Sequence, residues 1–170
     1  MFRAVLVAAL FVAVNSQIRG DELADHPFFR SLTGTWSGDG QLVNADGDAT
    51  PIHEEWEGKR QADGTFTMAG TRQWGEEDQE FRWVFHYNPT TELYECEYWH
   101  SGMDEKLRFE VQLADARVEL RAPMGDPGSE LLISNEIDEE EIDGQIRLTA
   151  ASGETNLEGS VRHKRRGQGE

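Results

Sequence analysis

Cysteine is almost missing from this chain of 170 residues: Cys96 stands alone, so no intrachain disulfide can form and stability has to come from packing. Cations are scarce too, with 16 Lys and Arg against 33 Asp and Glu and a formal net charge of −17. That imbalance repels phosphate backbones and anionic lipid surfaces, which excludes nucleic acid as an expected partner; the one basic cluster, His163-Lys164-Arg165-Arg166 near the C-terminus, is too short to reverse it. Long apolar runs are absent. The longest, Ala4 to Val14, has eleven residues, where a membrane-spanning helix needs about 20. The chain has no G-x-S-x-G elbow, no phosphate-cradling G-x-x-x-x-G-K-S/T, no dinucleotide fingerprint and no H-E-x-x-H. The expectation is therefore a protein that is not an enzyme, with no metal site and no membrane span.

What is present begins with a leader. Met1-Phe2-Arg3 supplies a basic start, Ala4–Val14 an apolar core, and Val14-Asn15-Ser16 compact residues where a signal peptidase reads. Cleavage is placed after Ser16, with Gly20 as an alternative, and export to a periplasm or outside the cell is expected. Loss of Arg3 with the leader leaves 15 basic and 33 acidic residues, a net −18. The expected organisation is a signal peptide over residues 1–16, an N-terminal segment with a short helix over 17–33, and one barrel over 34–166. The short helix is read from Leu23, Phe28, Phe29 and Leu32, laid against the end of the barrel.

From residue 34 onward, apolar and polar residues alternate, and turn signals such as Asn44-Ala45-Asp46-Gly47, Asn88-Pro89 and Asp126-Pro127-Gly128 interrupt them. The pattern predicts about ten strands, near 34–43, 50–59, 65–74, 79–88, 92–100, 105–113, 116–122, 129–137, 144–150 and 155–163. Nothing resembles a βαβ crossover, and the connections are short. The predicted fold is an all-β, antiparallel, up-and-down barrel with the short helix capping one end. Asp138-Glu139-Glu140-Glu141 reads as a solvated turn, with a weak cation site as the alternative.

Period two assigns an inner face. Phe81, Trp83, Phe85 and Tyr87 share it on one strand. Tyr94, Cys96, Tyr98 and His100 share it on the next if Cys96 is buried; the opposite phase would place Glu95 and Glu97 inside. Arg72 is in phase with Phe66, Met68 and Trp74, and Glu54 with Ile52 and Trp56. A buried charge left unpaired costs several kcal/mol, so an Arg72–Glu54 pair is the simplest arrangement. The candidate lumen residues are Trp36, Trp56, Arg72, Trp83, Tyr98 and His100. With Trp36 inward, its indole plugs the barrel floor, and Gly38 and Gly40 follow on the same face. They either permit barrel curvature or leave a ligand-sized hollow.

Leu32-Thr33-Gly34-Thr35-Trp36-Ser37-Gly38-Asp39-Gly40, a short helix running into G-x-W on the first strand, resembles the calycin group of lipocalins, fatty-acid-binding proteins and nitrobindins. The longer L-x-G-x-W-x-G-x-G form is most similar to nitrobindins and to a family of uncharacterised exported bacterial lipocalin-like proteins. The Asn88-Pro89 turn and the basic-ended last strand, Leu157 to Arg166, resemble that second group as well. The likeness implies a barrel that binds a small apolar or amphipathic ligand, with Arg72 able to receive a carboxylate as in the fatty-acid-binding relatives. The alternative is a filled barrel that acts through its acidic surface on a protein or cationic partner. Nitrobindins hold haem through a histidine near the start of the last strand. Asn156 occupies that position here and His163 lies at the far end, so neither haem nor any other cofactor is expected.

Overall fold

The computed structural model describes Leu23 and residues 25–167. The expected leader, residues 1–16, lies outside the described residues. Among those described, one α-helix, α1 (Pro27–Leu32), precedes ten strands: β1 (Gly34–Asn44), β2 (Ala49–Arg60), β3 (Phe66–Trp74), β4 (Glu77–Asn88), β5 (Leu93–His100), β6 (Leu107–Ala114), β7 (Arg117–Pro123), β8 (Glu130–Asp138), β9 (Glu141–Thr149) and β10 (Thr155–Arg165). Each strand pairs antiparallel with its neighbours in sequence, and β1 closes on β10, so the sheet has no free edge. This is the antiparallel up-and-down barrel that the alternation predicts. The acidic run is shorter as a turn than expected. Only Glu139 and Glu140 connect β8 to β9, with Glu139 at φ 52°, and Glu141 already belongs to the ladder.

α1 is too short to persist alone, and it exists because the barrel receives its apolar face. His26 accepts the Phe28 N–H at its N-terminus, and Pro27 at the first helical position gives up no needed donor. Phe28, Phe29 and Leu32 are buried, and the Phe29 ring lies 5.0 Å from both Phe66 and Phe85. Each such side chain contributes about 2 kcal/mol of burial. Arg165 ties this cap to the last strand. Its Nη1 donates to the Thr33 carbonyl and its Nη2 to that of Ser31, each at 2.6 Å, while its guanidinium lies 4.5 Å from the Trp36 ring. Trp36 in turn donates from Nε1 to the Leu32 carbonyl at 3.0 Å. One end of the barrel is thereby closed.

The glycines of the first strand do not open onto a hollow. Register pairs Gly38 with His163 on β10 and with Glu54 on β2. A β-carbon at Gly38 would lie 2.2 Å from Cδ2 of His163, so the missing side chain is the space the imidazole fills. At Gly40 a β-carbon would lie 2.0 Å from the Ser160 carbonyl, so there the glycine allows β1 and β10 to approach. Gly38→Ala is expected to cost about 1–3 kcal/mol in urea unfolding, because His163 is buried and cannot withdraw. A loss of a few tenths would mean that the imidazole has another resting place.

Candidate functional site

The lumen holds a cavity of about 380 Å³. Its wall is largely aliphatic and aromatic: Leu42, Ile52 and Trp74 on β1–β3, Phe81 and Trp83 on β4, Leu131, Ile133 and Ile146 across the barrel, with Phe28 and Leu32 of α1 at the closed end. A hollow of this size falls within the range of small-molecule sites. A filled barrel, the alternative expectation, would leave no such space.

Of the six lumen candidates, Trp56, Arg72, Trp83, Tyr98 and His100 line this cavity. Trp36 does not. It is fully buried beneath the cavity, stacked on Trp56 at a ring distance of 5.6 Å. The hydrogen bond to the cap and the Arg165 cation over its ring commit Trp36 to closing the barrel floor.

Four polar side chains meet in this largely apolar lumen, whose wall also includes His100, Asn135 and Gln145. Cross-strand register sets Glu54 opposite both Gly38 and Arg72. Arg72 Nε donates to Glu54 Oε1 at 2.5 Å, and its Nη1 donates to the Tyr98 hydroxyl at 2.8 Å. His163 Nε2 donates to Glu54 Oε2 at 2.9 Å. The Arg72–Glu54 pair is the one that the strand phases predict. Glu54 is 7% exposed and His163 6%. Burial alone would raise the Glu54 pKa; the hydrogen bond from His163 and the charge of Arg72 outweigh it and bring the carboxyl from 4.5 to about 2. An ionised carboxylate only accepts, so Nε2 of His163 carries the proton, and Nδ1, buried, has no partner. Burial raises the Tyr98 pKa, partly offset by Arg72, so its hydroxyl stays protonated. The Arg72 cation lies 5.1 Å from the Phe81 ring and 5.8 Å from that of Tyr98, a favourable contact in a dry setting.

His163 is the residue that the sequence reading misplaces. Grouped there with Lys164, Arg165 and Arg166 as a terminal basic patch, it is instead a wall residue of the cavity. Phase could have found it, since Leu157, Gly159, Val161 and His163 alternate, and Leu157 and Val161 also line the lumen. Asn156 corrects the same reading. The β9–β10 register shifts between Thr155 and Leu157, which leaves Asn156 exposed and off the cavity wall. The position that the nitrobindin likeness makes axial therefore faces away from the lumen. The two wall imidazoles each have a nitrogen engaged, His163 with Glu54 and His100 with the Gly102 N–H at 3.1 Å. The residues do not fit a haem held in that family's manner.

Other titratable groups offer little chemistry. Burial pushes the Cys96 thiol well up, which keeps it from the thiolate form. Burial and the nearby Arg72 charge lower the pKa of His100. Among the described residues, no three His, Cys, Asp or Glu side chains stand where they could hold a metal ion, and no helix is long and apolar enough to cross a membrane.

The quartet makes stability depend on pH in a definable window. Because the folded-state pKa of Glu54 is lowered, its contribution is complete above about 4.5 and drains as pH falls toward about 2. A shift of that size corresponds to about 3 kcal/mol. Glu54→Gln should therefore be about 3 kcal/mol less stable than the wild type at neutral pH. The gap should close on acidification through that window. Denaturant titrations of both proteins across the acid range test this, and a gap independent of pH would contradict it.

No family model matches the chain, and no curated protein matches it. Solved structures match in fold. The S-type phycobiliprotein lyase CPES from Guillardia theta aligns with a TM-score of 0.58 at 10% identity, over 89% of this chain and 97% of that one. Rv2717c from M. tuberculosis aligns with a TM-score of 0.57 at 14% identity, over 86% and 98%. A protein of unknown function from the DUF3598 family of Nostoc punctiforme aligns with a TM-score of 0.55 at 14% identity, over 81% of this chain and 48% of its own. This chain thus spans about half the length of that last structure. At such identities the similarity is one of fold: a closed, calycin-like barrel.

Proposed function

We propose that this protein binds a small amphipathic molecule in its lumen and works as a binding protein of the exported lipocalin-like kind, not as an enzyme. The observation that carries the reading is the cavity of about 380 Å³, whose apolar wall surrounds a single buried polar quartet. Apolar walls remove the body of a ligand from water, and a few fixed polar groups orient one end of it. The quartet supplies those groups: Arg72 directs two of its donors to Glu54 and Tyr98, and Tyr98 keeps its own hydroxyl proton. Export rests on the leader pattern, Met1 to Ser16, and cell fractionation checks it.

Trp56, Trp74 and Trp83 line the cavity, so the protein carries its own reporter. Titration with the uncharged fluorophore N-phenyl-1-naphthylamine should give saturable energy transfer from tryptophan. Ile146→Trp, which fills the lumen, should weaken uptake at least about tenfold by overpacking the site. Leu93→Ser, at the exposed start of β5, should leave it unchanged. An unsaturable signal, or uptake indifferent to Ile146→Trp, would count against a lumen site.

A further inference from the structure

The wall opposite Arg72 carries a polar side chain of its own, Asn135 on β8. β3 and β8 lie five strands apart in either direction round the closed ring. Register pairs Asn135 with the buried Val118 on β7 and with Gly144 on β9, which sets it in the inward phase, and it lines the cavity. A β-carbon at Gly144 would lie 2.8 Å from Asn135 Oδ1, so the glycine keeps the room in which the amide sits.

The other polar groups of the lumen are engaged. Glu54, Arg72, Tyr98 and His163 bond to one another, and His100 accepts the Gly102 N–H. Gln145 takes the outward phase of β9, between Gly144 and Ile146. Asn135 differs, because its side chain bonds to no described residue. Among the described residues, the side-chain atoms that are both sealed in and unpartnered are Gln79 Oε1 and His163 Nδ1; the Asn135 amide lacks a partner but keeps surface in the lumen. An amide withdrawn from bulk water without a partner weakens the fold, whereas Ile133 and Ile137, two residues to either side, pack there with no such penalty. A residue that weakens the fold and faces the cavity is one held for what enters it.

The amide presents a donor and an acceptor side by side, and exchanging its O and N leaves that pair in place. A carboxamide answers both at once, and a hydroxyl answers either. A carboxylate only accepts and an ammonium only donates. Each would also give up its hydration without a free counter-charge, since Arg72 and Glu54 already neutralise one another at 2.5 Å.

We infer that Asn135 selects the polar group of the lumen ligand, and that this group is neutral and both donates and accepts: a carboxamide before a hydroxyl, and either before an ionised head. The inference rests on the lumen-binding reading above and adds the chemical class of the ligand and the residue that recognises it.

Octanamide, octan-1-ol, octanoate and octylamine share one carbon chain and differ in the head. Binding of each to the purified protein is read by displacement of N-phenyl-1-naphthylamine, whose own affinity is measured for every variant. At neutral pH octanamide should bind about tenfold more tightly than octanoate or octylamine, with octan-1-ol between them. Asn135→Leu should weaken octanamide about tenfold and leave octanoate within about twofold. Gly144→Ala, which crowds the amide without removing it, should weaken octanamide in the same sense. In the ligand-free protein Asn135→Leu should raise the midpoint of thermal unfolding, where loss of a structural asparagine would lower it. Octanamide binding unmoved by Asn135→Leu, or a lower unfolding midpoint in that variant, overturns the inference while lumen binding stands. If the fluorophore itself does not enter the lumen, the underlying reading fails and this one with it.

Discussion

A carboxylate buried in the lumen, Glu54, is the constraint around which the interior of this barrel is arranged. Left alone it would cost several kcal/mol or take up a proton, and the chain prevents both by bringing a partner to each of its oxygens. Arg72 arrives from β3 by direct register, and His163 arrives from β10 because the barrel closes. The absence of a side chain at Gly38 gives the imidazole its place. Closure of the sheet, the glycine in the first strand and the ionic state of Glu54 are thus one physical problem with one solution. Tyr98 extends it, because the second donor of Arg72 also needs an acceptor away from water.

This arrangement explains the asymmetry of the molecule along the barrel axis. At one end α1, Trp36 and Arg165 form a dry floor in which every polar atom named has a protein partner. At the other, turn residues and carboxylates face solvent around an apolar opening. Cys96 contributes only volume to the core, so the barrel is held without covalent staples. Closed hydrogen bonding, not cross-linking, protects the strand edges.

Much of this architecture is legible from period two alone. Alternation puts Phe81, Trp83 and Phe85 inside, phases Arg72 with Trp74 and Glu54 with Trp56, and leaves most other charged residues outside. What it cannot supply is the register at which the barrel closes and the phase across an irregularity. The pairing of β1 with β10 spans most of the chain, so nothing local says that Gly38 and His163 meet. The shift near Asn156 breaks the count that an alignment relies on, and a histidine followed by three cations reads as a solvated tail. Trp36 is legible in part: an inward tryptophan at one end of the first strand reads as a plug of the barrel floor, but only the cap that accepts its N–H shows that it is not also a cavity wall.

The account depends most on the protonation pattern at the centre, an ionised Glu54 accepting from Nε2–H of His163 with Nδ1 left bare. Long-range proton–nitrogen NMR on uniformly labelled protein, in mildly alkaline solution, reads the His163 tautomer directly. The account predicts the Nε2–H tautomer, with Nδ1 resonating as an unprotonated nitrogen. An Nδ1–H tautomer would contradict it, since Glu54 would then lose its second partner.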